Sequence, residues 1–302
     1  VARERAARAR GSSRGPVDVV HGEIVEVADR AWPSLEARHA RGIVAVLGPV
    51  RKKALTARVV GADPGTVLPT FTPDTTADEA RAALGSAGWR EVGTGDWAWV
   101  LASPDDRLAA RVTPFDPAFR LFADACLAGP PNPFLVRVDD VVPLRHRGYV
   151  VVMERLHPAD EERARSLVAS LGITSATDAI SPDDARPDLA DHPEVVDLRR
   201  RIEDLLADGA RQYRLWGGAD IRPGNVLQTA DGRLRLTDPV FVHGPTVFES
   251  IRDGRADLLG DFSRSDLEDF LRIPAFEPGP DTDALRRALA ALPLGDGQRS
   301  TS

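Results

Sequence analysis

The 302-residue sequence predicts an α+β protein in two lobes: a small antiparallel sheet carrying one helix, then a mainly helical lobe, preceded by a segment with no assignable fold. Three observations support this. Short apolar runs broken by turn residues fill 89–113 and 135–153, with one helical stretch between them, the pattern of a sheet with a helix packed on it. Residues 193–208 bring Val195, Val196, Leu198, Ile202, Leu205 and Leu206 to helical spacing, which marks a buried stripe. Further on, Ala230-Asp231-Gly232 separates two short apolar runs, as a hairpin turn does.

Taken in order, residues 1–16 are Arg/Ala-rich, then Gly/Ser-rich, and read as a fraying tail. Residues 17–75 hold apolar stretches at 43–47 and 55–60 and end in a Pro/Thr/Gly-rich run, 64–76, that reads as a linker. Thr76 followed by Glu79 is a capping box opening a helix over 78–87. Strands are expected at 89–93, 97–102 and 108–113, the last two joined by Ser103-Pro104-Asp105-Asp106. Asp116 before Pro117 is an N-cap with proline at the first helical position. That helix runs to about 128, where Gly129-Pro130-Pro131 stops it. Two more strands, 135–143 and 149–153, flank a tight turn at 145–148, and 154–158 leaves without turning back, as a connection between lobes does. A helix at 159–171, a polar loop at 174–191, the helix from Pro193, the hairpin, and helices at 265–272 and 283–292 complete the chain. The expected divisions are therefore 1–75, 76–153 and 154–302.

Composition narrows the function classes. Hydrophobic residues make up 42%, enough for real cores, and no apolar run approaches the ~18 residues of a membrane span. A net charge of −7 argues against a general nucleic-acid binder. Cys126 is the single cysteine, so no internal disulfide forms and a reducing, cytoplasmic setting is expected; no secretory leader pattern is present. The six histidines show no metal-ligand spacing, which argues against zinc. The only lysines are Lys52 and Lys53, and the only asparagines are Asn132 and Asn225.

That scarcity gives weight to residues 218–240. Asp220 is followed five residues later by Asn225 and thirteen after that by Asp238, with the expected strand, Asp-Gly turn and strand between the last two. Such a hairpin returns Asp238 to the side of Asn225, where both present hard oxygens to a cation. The alternative is an ordinary hairpin with surface acids.

The spacing resembles the catalytic loop and metal-binding strand of the protein-kinase-like superfamily. The resemblance implies a bilobal kinase-like fold with ATP and Mg2+ as cofactors. Asp220 is then the group that orients an acceptor hydroxyl and takes its proton, and Asn225 and Asp238 are the metal ligands. Gly93-Thr94-Gly95-Asp96-Trp97-Ala98-Trp99-Val100 resembles the glycine-rich loop over the nucleotide, placing Gly93, Gly95 and Val100 in contact with it; alone it is equally a plain hairpin. Arg111 stands where the family has its nucleotide-binding lysine, and no lysine follows residue 76 to replace it; the alternative is a surface strand residue. The resemblance offers Asp124 as the acidic partner of Arg111, although an exposed helical acid is an equal reading. Met153, Glu154 and Leu156 would form the hinge beside the adenine.

There are departures. Gly218 occupies the family's histidine position two before Asp220, and Asp238 is followed by Pro239-Val240 with no Ala-Pro-Glu beyond. These features are closer to aminoglycoside-phosphotransferase-like and fructosamine-kinase-like enzymes, which implies a small-molecule acceptor. A catalytically weak pseudokinase acting as a nucleotide- or partner-binding module is the alternative, motivated by Ala98, Arg111 and Gly218. A third class, a nucleic-acid-associated protein using residues 1–60 with Lys52 and Lys53, is also carried.

Overall fold

The computed structural model describes residues 68–175 and 181–294. The tail at 1–16, the apolar stretches at 43–47 and 55–60, and Lys52 and Lys53 lie outside the described residues.

The α+β, two-lobed architecture is present. The first lobe contains α1 (Ala77–Ser86), β1 (Arg90–Thr94), β2 (Trp99–Ala102), β3 (Leu108–Thr113), α2 (Pro117–Ala128), β4 (Val138–Pro143) and β5 (Tyr149–Glu154). The strands form one antiparallel sheet in the order β1-β2-β3-β5-β4. Both expected caps form. Thr76 and Glu79 make the reciprocal capping box of α1, and the Asp116 side chain accepts the Phe119 amide at 3.0 Å to start α2.

The sheet is buried on both faces, which is why β5 reads as an unbroken Val150-Val151-Val152-Met153 run rather than an alternating one. Leu108, Ala110, Val112, Val150 and Val152 pack outward under α1 with Trp89. Ala109, Tyr149, Val151 and Met153 point the other way, into the core shared with α2 and the second lobe. The run 64–76 is not a plain linker where it is described: Leu68 and Phe71 are buried in the outer cluster beside Ala80 and Leu84. The tyrosine hydroxyl of Tyr149 donates to the Asp116 carbonyl at 2.7 Å and ties β5 to the start of α2.

The second lobe begins with β6 (His157–Pro158), α3 (Glu161–Leu171), α4 (Pro187–Ala190) and α5 (Pro193–Gln212). It continues with β7 (Trp216–Ala219), β8 (Val226–Gln228), β9 (Leu234–Leu236), β10 (Val240–Val242), α6 (Gly244–Arg252), α7 (Arg264–Phe270) and α8 (Pro280–Ala291). The stripe of α5 buries Val195, Leu198, Ile202 and Leu205, but Val196 is 46% exposed, one residue off the stripe. Gly209 is required on this helix: a Cβ there would lie 2.3 Å from the Trp216 ring.

Candidate active site

Two small sheets position the 218–240 region. β7 pairs with β10, and β8 pairs with β9 on one side and β6 on the other. The Asp220 amide donates to the Pro239 carbonyl at 2.8 Å, so the Asp220 loop and the Asp238 turn are joined directly. Gly218 sits at φ +95°, a region that favours glycine over any L-residue. The missing histidine thus has a local cause: the backbone at 218 is one a histidine would occupy only under strain.

A short 3₁₀ turn, Pro223–Asn225, carries the asparagine inward, and Asn225 is fully buried. Its Nδ2 donates to the Asp220 carbonyl at 2.8 Å, to Asp220 Oδ2 at 2.9 Å and to the Asp238 carbonyl at 2.7 Å. Its Oδ1 is buried with no hydrogen-bond partner. The amide is therefore locked with its acceptor oxygen unsatisfied, an arrangement that costs about 1–3 kcal/mol unless something else fills it. The other oxygen of the catalytic candidate, Asp220 Oδ1, accepts from Arg222 Nε at 2.9 Å. Sequence reasoning missed Arg222; its place two residues after Asp220, in a short loop, was the available signal. Burial pushes the Arg222 guanidinium down to about 10, while the Asp238 charge acts in the opposite direction.

Asp238 is partly buried, and burial holds its carboxyl well above the usual range. Arg111 and Arg222 pull it down, while Asp220 and Asp116 push it further up. A carboxylate and an orphaned amide oxygen on adjoining turns are oxygen donors of the kind a hard cation takes. Among the described residues no three His, Cys, Asp or Glu side chains cluster as a metal cage. Asn225 and Asp238 are the oxygen-bearing side chains here that could hold a cation such as Mg2+, which commonly keeps waters and phosphate oxygens at its remaining positions.

Arg111 is buried, not a surface strand residue. Its Nη2 donates to Asp116 Oδ2 at 3.0 Å, and its guanidinium lies 3.7 Å from the Phe119 ring centroid. Nε and Nη1 are buried without a hydrogen-bond partner. The pairing with Asp124 is corrected: Asp124 forms an ion pair with Arg120 at 3.7 Å, and the acid beside Arg111 is Asp116. The reason is geometric. α2 starts immediately after β3, so its N-cap lies next to Arg111, whereas Asp124 is two turns along the helix. Burial raises the Asp116 carboxyl, and Arg111 opposes that rise.

The Gly93–Gly95 region is a hairpin with a register shift between Glu91 and Gly93. It closes as a four-residue turn in which the Gly95 amide donates to the Ala98 carbonyl at 2.9 Å. Its tip is held by the second lobe. The Asp96 carbonyl accepts the Ala275 amide at 2.9 Å, and the Trp97 ring lies 5.6 Å from Phe270 and 6.3 Å from Phe115. Nearby, Arg147 pairs with Asp266 at 3.1 Å and His146 with Asp269 at 2.8 Å.

Val100, Met153 and Leu156 share one apolar cluster with Ala109, and half-buried Leu227 packs against it from the position two after Asn225. Glu154 turns its side chain elsewhere: Oε1 accepts from the Arg137 amide and Arg235 Nε, both at 2.8 Å, bracing the interlobe strand against β9.

No family model and no curated protein matches the chain. Among solved structures, it is similar to an aminoglycoside phosphotransferase from Streptomyces rimosus at 19% identity, over 71% of this chain and 96% of that one, with a TM-score of 0.26. It is also similar to the CAK complex of Chaetomium thermophilum bound to ATP-gamma-S at 14% identity, over 72% of each chain, with a TM-score of 0.30. At these scores neither likeness bears on substrate or activity.

Proposed function

We propose that the chain is a kinase-like phosphotransferase that moves the terminal phosphoryl group of ATP to a hydroxyl of a small-molecule acceptor. The observation that carries this reading is the locked Asn225 amide, whose buried Oδ1 has no protein partner and whose Nδ2 is tied to the Asp238 carbonyl, next to a carboxyl that burial holds above its usual range. Mg2+ bound there would neutralise charge on the phosphates.

The chain's own groups have separable tasks. Asn225 and Asp238 hold the cation through oxygen. The two unpartnered nitrogens of Arg111, Nε and Nη1, suit an oxyanion ligand, with Asp116 and the Phe119 ring fixing the guanidinium. Asp220, oriented by Arg222 and Asn225, orients the acceptor hydroxyl and takes its proton as the new P–O bond forms and the bond from the terminal phosphorus to the departing ADP oxygen breaks. Val100, Met153, Leu156 and half-buried Leu227 belong to one apolar cluster, and the nucleobase is assigned to its edge. Phosphoryl transfer needs placement and charge neutralisation above all, and these groups supply both.

Calorimetric titration of ATP with and without Mg2+, followed by a turnover screen across small hydroxylated acceptors, tests the reading. Nucleotide binding that ignores Mg2+, or survives Asn225→Ala unchanged, would sink it. A second reading, a nucleotide-binding module without turnover, is favoured by one observation: both Asp220 oxygens already accept protein hydrogen bonds. Metal-dependent binding with no turnover on any acceptor selects it.

A further inference from the structure

An open groove of about 480 Å³ lies between the C-terminal half of α2 and α5 from Arg200 to its end at Gln212, within the span of roughly 300–1,000 Å³ usual for small-molecule sites. Its floor is apolar, built from Leu121, Phe122, Leu135, Ile202 and Leu205, all buried. Cys126 also lines it, and burial pushes that thiol up to about 12, so the wall gains a polarisable sulfur and no charge. None of residues 218–240 lines the groove, which separates it from the Asp220 site.

The rim is charged, yet each rim charge is matched within the protein. Arg200 pairs with Asp197 at 2.8 Å and Asp204 at 3.0 Å. Arg201 pairs with Asp197 and donates to the Pro130 carbonyl, both at 2.7 Å. Asp208 pairs with Arg211, and Asp124 with Arg120 at 3.7 Å. An ion entering the groove would lose hydration and meet no unmatched opposite charge. An uncharged apolar molecule has only to displace water from the floor.

We propose that this groove is a second ligand site, which takes an uncharged, predominantly apolar small molecule. One helix joins it to the first site: α2 lines the groove with its C-terminal half and holds Arg111 through Asp116 at its N-cap.

The test is a fluorescence titration of the full chain with the neutral probe N-phenyl-1-naphthylamine. The expected result is one saturable site, weakened at least about tenfold by Ala125→Trp, which lays an indole across the groove from an exposed helical position. Ala128→Trp, further along the same wall, is the substitute if the first variant melts early. The anionic analogue 8-anilinonaphthalene-1-sulfonate is expected to bind at least about tenfold more weakly. No saturable binding, unchanged affinity in both variants, or equal affinity for the anion overturns the proposal. Light scattering that shows a dimer dissociated by Ala125→Trp also overturns it, by assigning the groove to a second copy. None of these readouts uses nucleotide, so a failure of ATP to bind counts against the phosphotransferase reading alone.

Discussion

Replacing Asp238 with asparagine should stabilise the protein without nucleotide and remove its stabilisation by Mg2+-ATP. The Asp238 carboxyl is held up chiefly by burial and is further opposed by Asp220 and Asp116, so its charge is a net cost to the folded state that Arg111 and Arg222 only partly offset. Asparagine keeps the shape and the backbone carbonyl that Asn225 Nδ2 uses, and deletes the charge. Relieving such a functional site typically returns about 0.5–2 kcal/mol. At roughly 2–4 °C per kcal/mol for a body of this size, the melting temperature should rise by about 1–8 °C. The wild type, given Mg2+-ATP at a hundred times its Kd, should gain about 2.7 kcal/mol, or roughly 5–11 °C on the same conversion, and the variant should gain almost none. Differential scanning fluorimetry at fixed pH, with and without Mg2+-ATP, reads both quantities. A variant that melts several degrees below wild type without ligand would refute the crowding argument. A variant shifted by Mg2+-ATP as far as wild type would refute the cation assignment.

Asp220→Asn should lower turnover by about 10²–10⁴-fold in a coupled ADP-release assay while leaving ATP affinity within about threefold; a parallel loss of both would show misfolding. Asp116→Ala removes the Arg111 partner and the α2 cap together and should cost about 3–5 kcal/mol in urea unfolding, of which Asp116→Asn recovers the capping share of about 1 kcal/mol. Equal stabilities for the two variants would deny Asp116 its double role. Burial raises Asp269, so the folded state binds its proton more tightly than the unfolded state. Stability from that proton is present below the ordinary carboxylate range and is lost as pH rises through the raised value. Calorimetry from about pH 3.5 to 7 should therefore show wild type losing ground to Asp269→Asn across that window and then levelling off; a drift in wild type's favour would contradict this. Trp97→Ala should speed amide exchange across 93–98, and protection equal to wild type would mean the loop tip is held without the indole.

Much of the first lobe was legible because its signals are local. The Thr76–Glu79 capping box, the Asp116-Pro117 start and the Gly129 stop each depend on residues within one turn of each other. The hairpin between Asn225 and Asp238 was legible because its turn is also local. What was missed depends on tertiary neighbours. Asp116 partners Arg111 because two elements meet at one corner, and residue spacing along α2 alone equally offered Asp124. α6 was not foreseen, although Pro245 and the Val247, Phe248 and Ile251 set announce it. Leu68 and Phe71 sit in a run rich in breakers, where burial is decided by the helix above them rather than by the run itself. Val196 fell off the α5 stripe because an approximate helical period cannot fix an edge residue.

The attachment of Asp96 and Trp97 to the Phe270–Phe276 stretch has a mechanical consequence. The strand register puts Trp99, Val112 and Val150 at one end of the sheet and Leu108 and Glu154 at the other, roughly 14 Å apart at ~3.4 Å per residue. The lobes are thus fastened along both edges, by the chain itself near Leu156 and by noncovalent contacts near Ala275. Any swing about the covalent edge must first undo the contacts at the far edge. Substitutions within 262–276, remote in sequence from Asp220, would therefore loosen that far edge while leaving the covalent connection untouched.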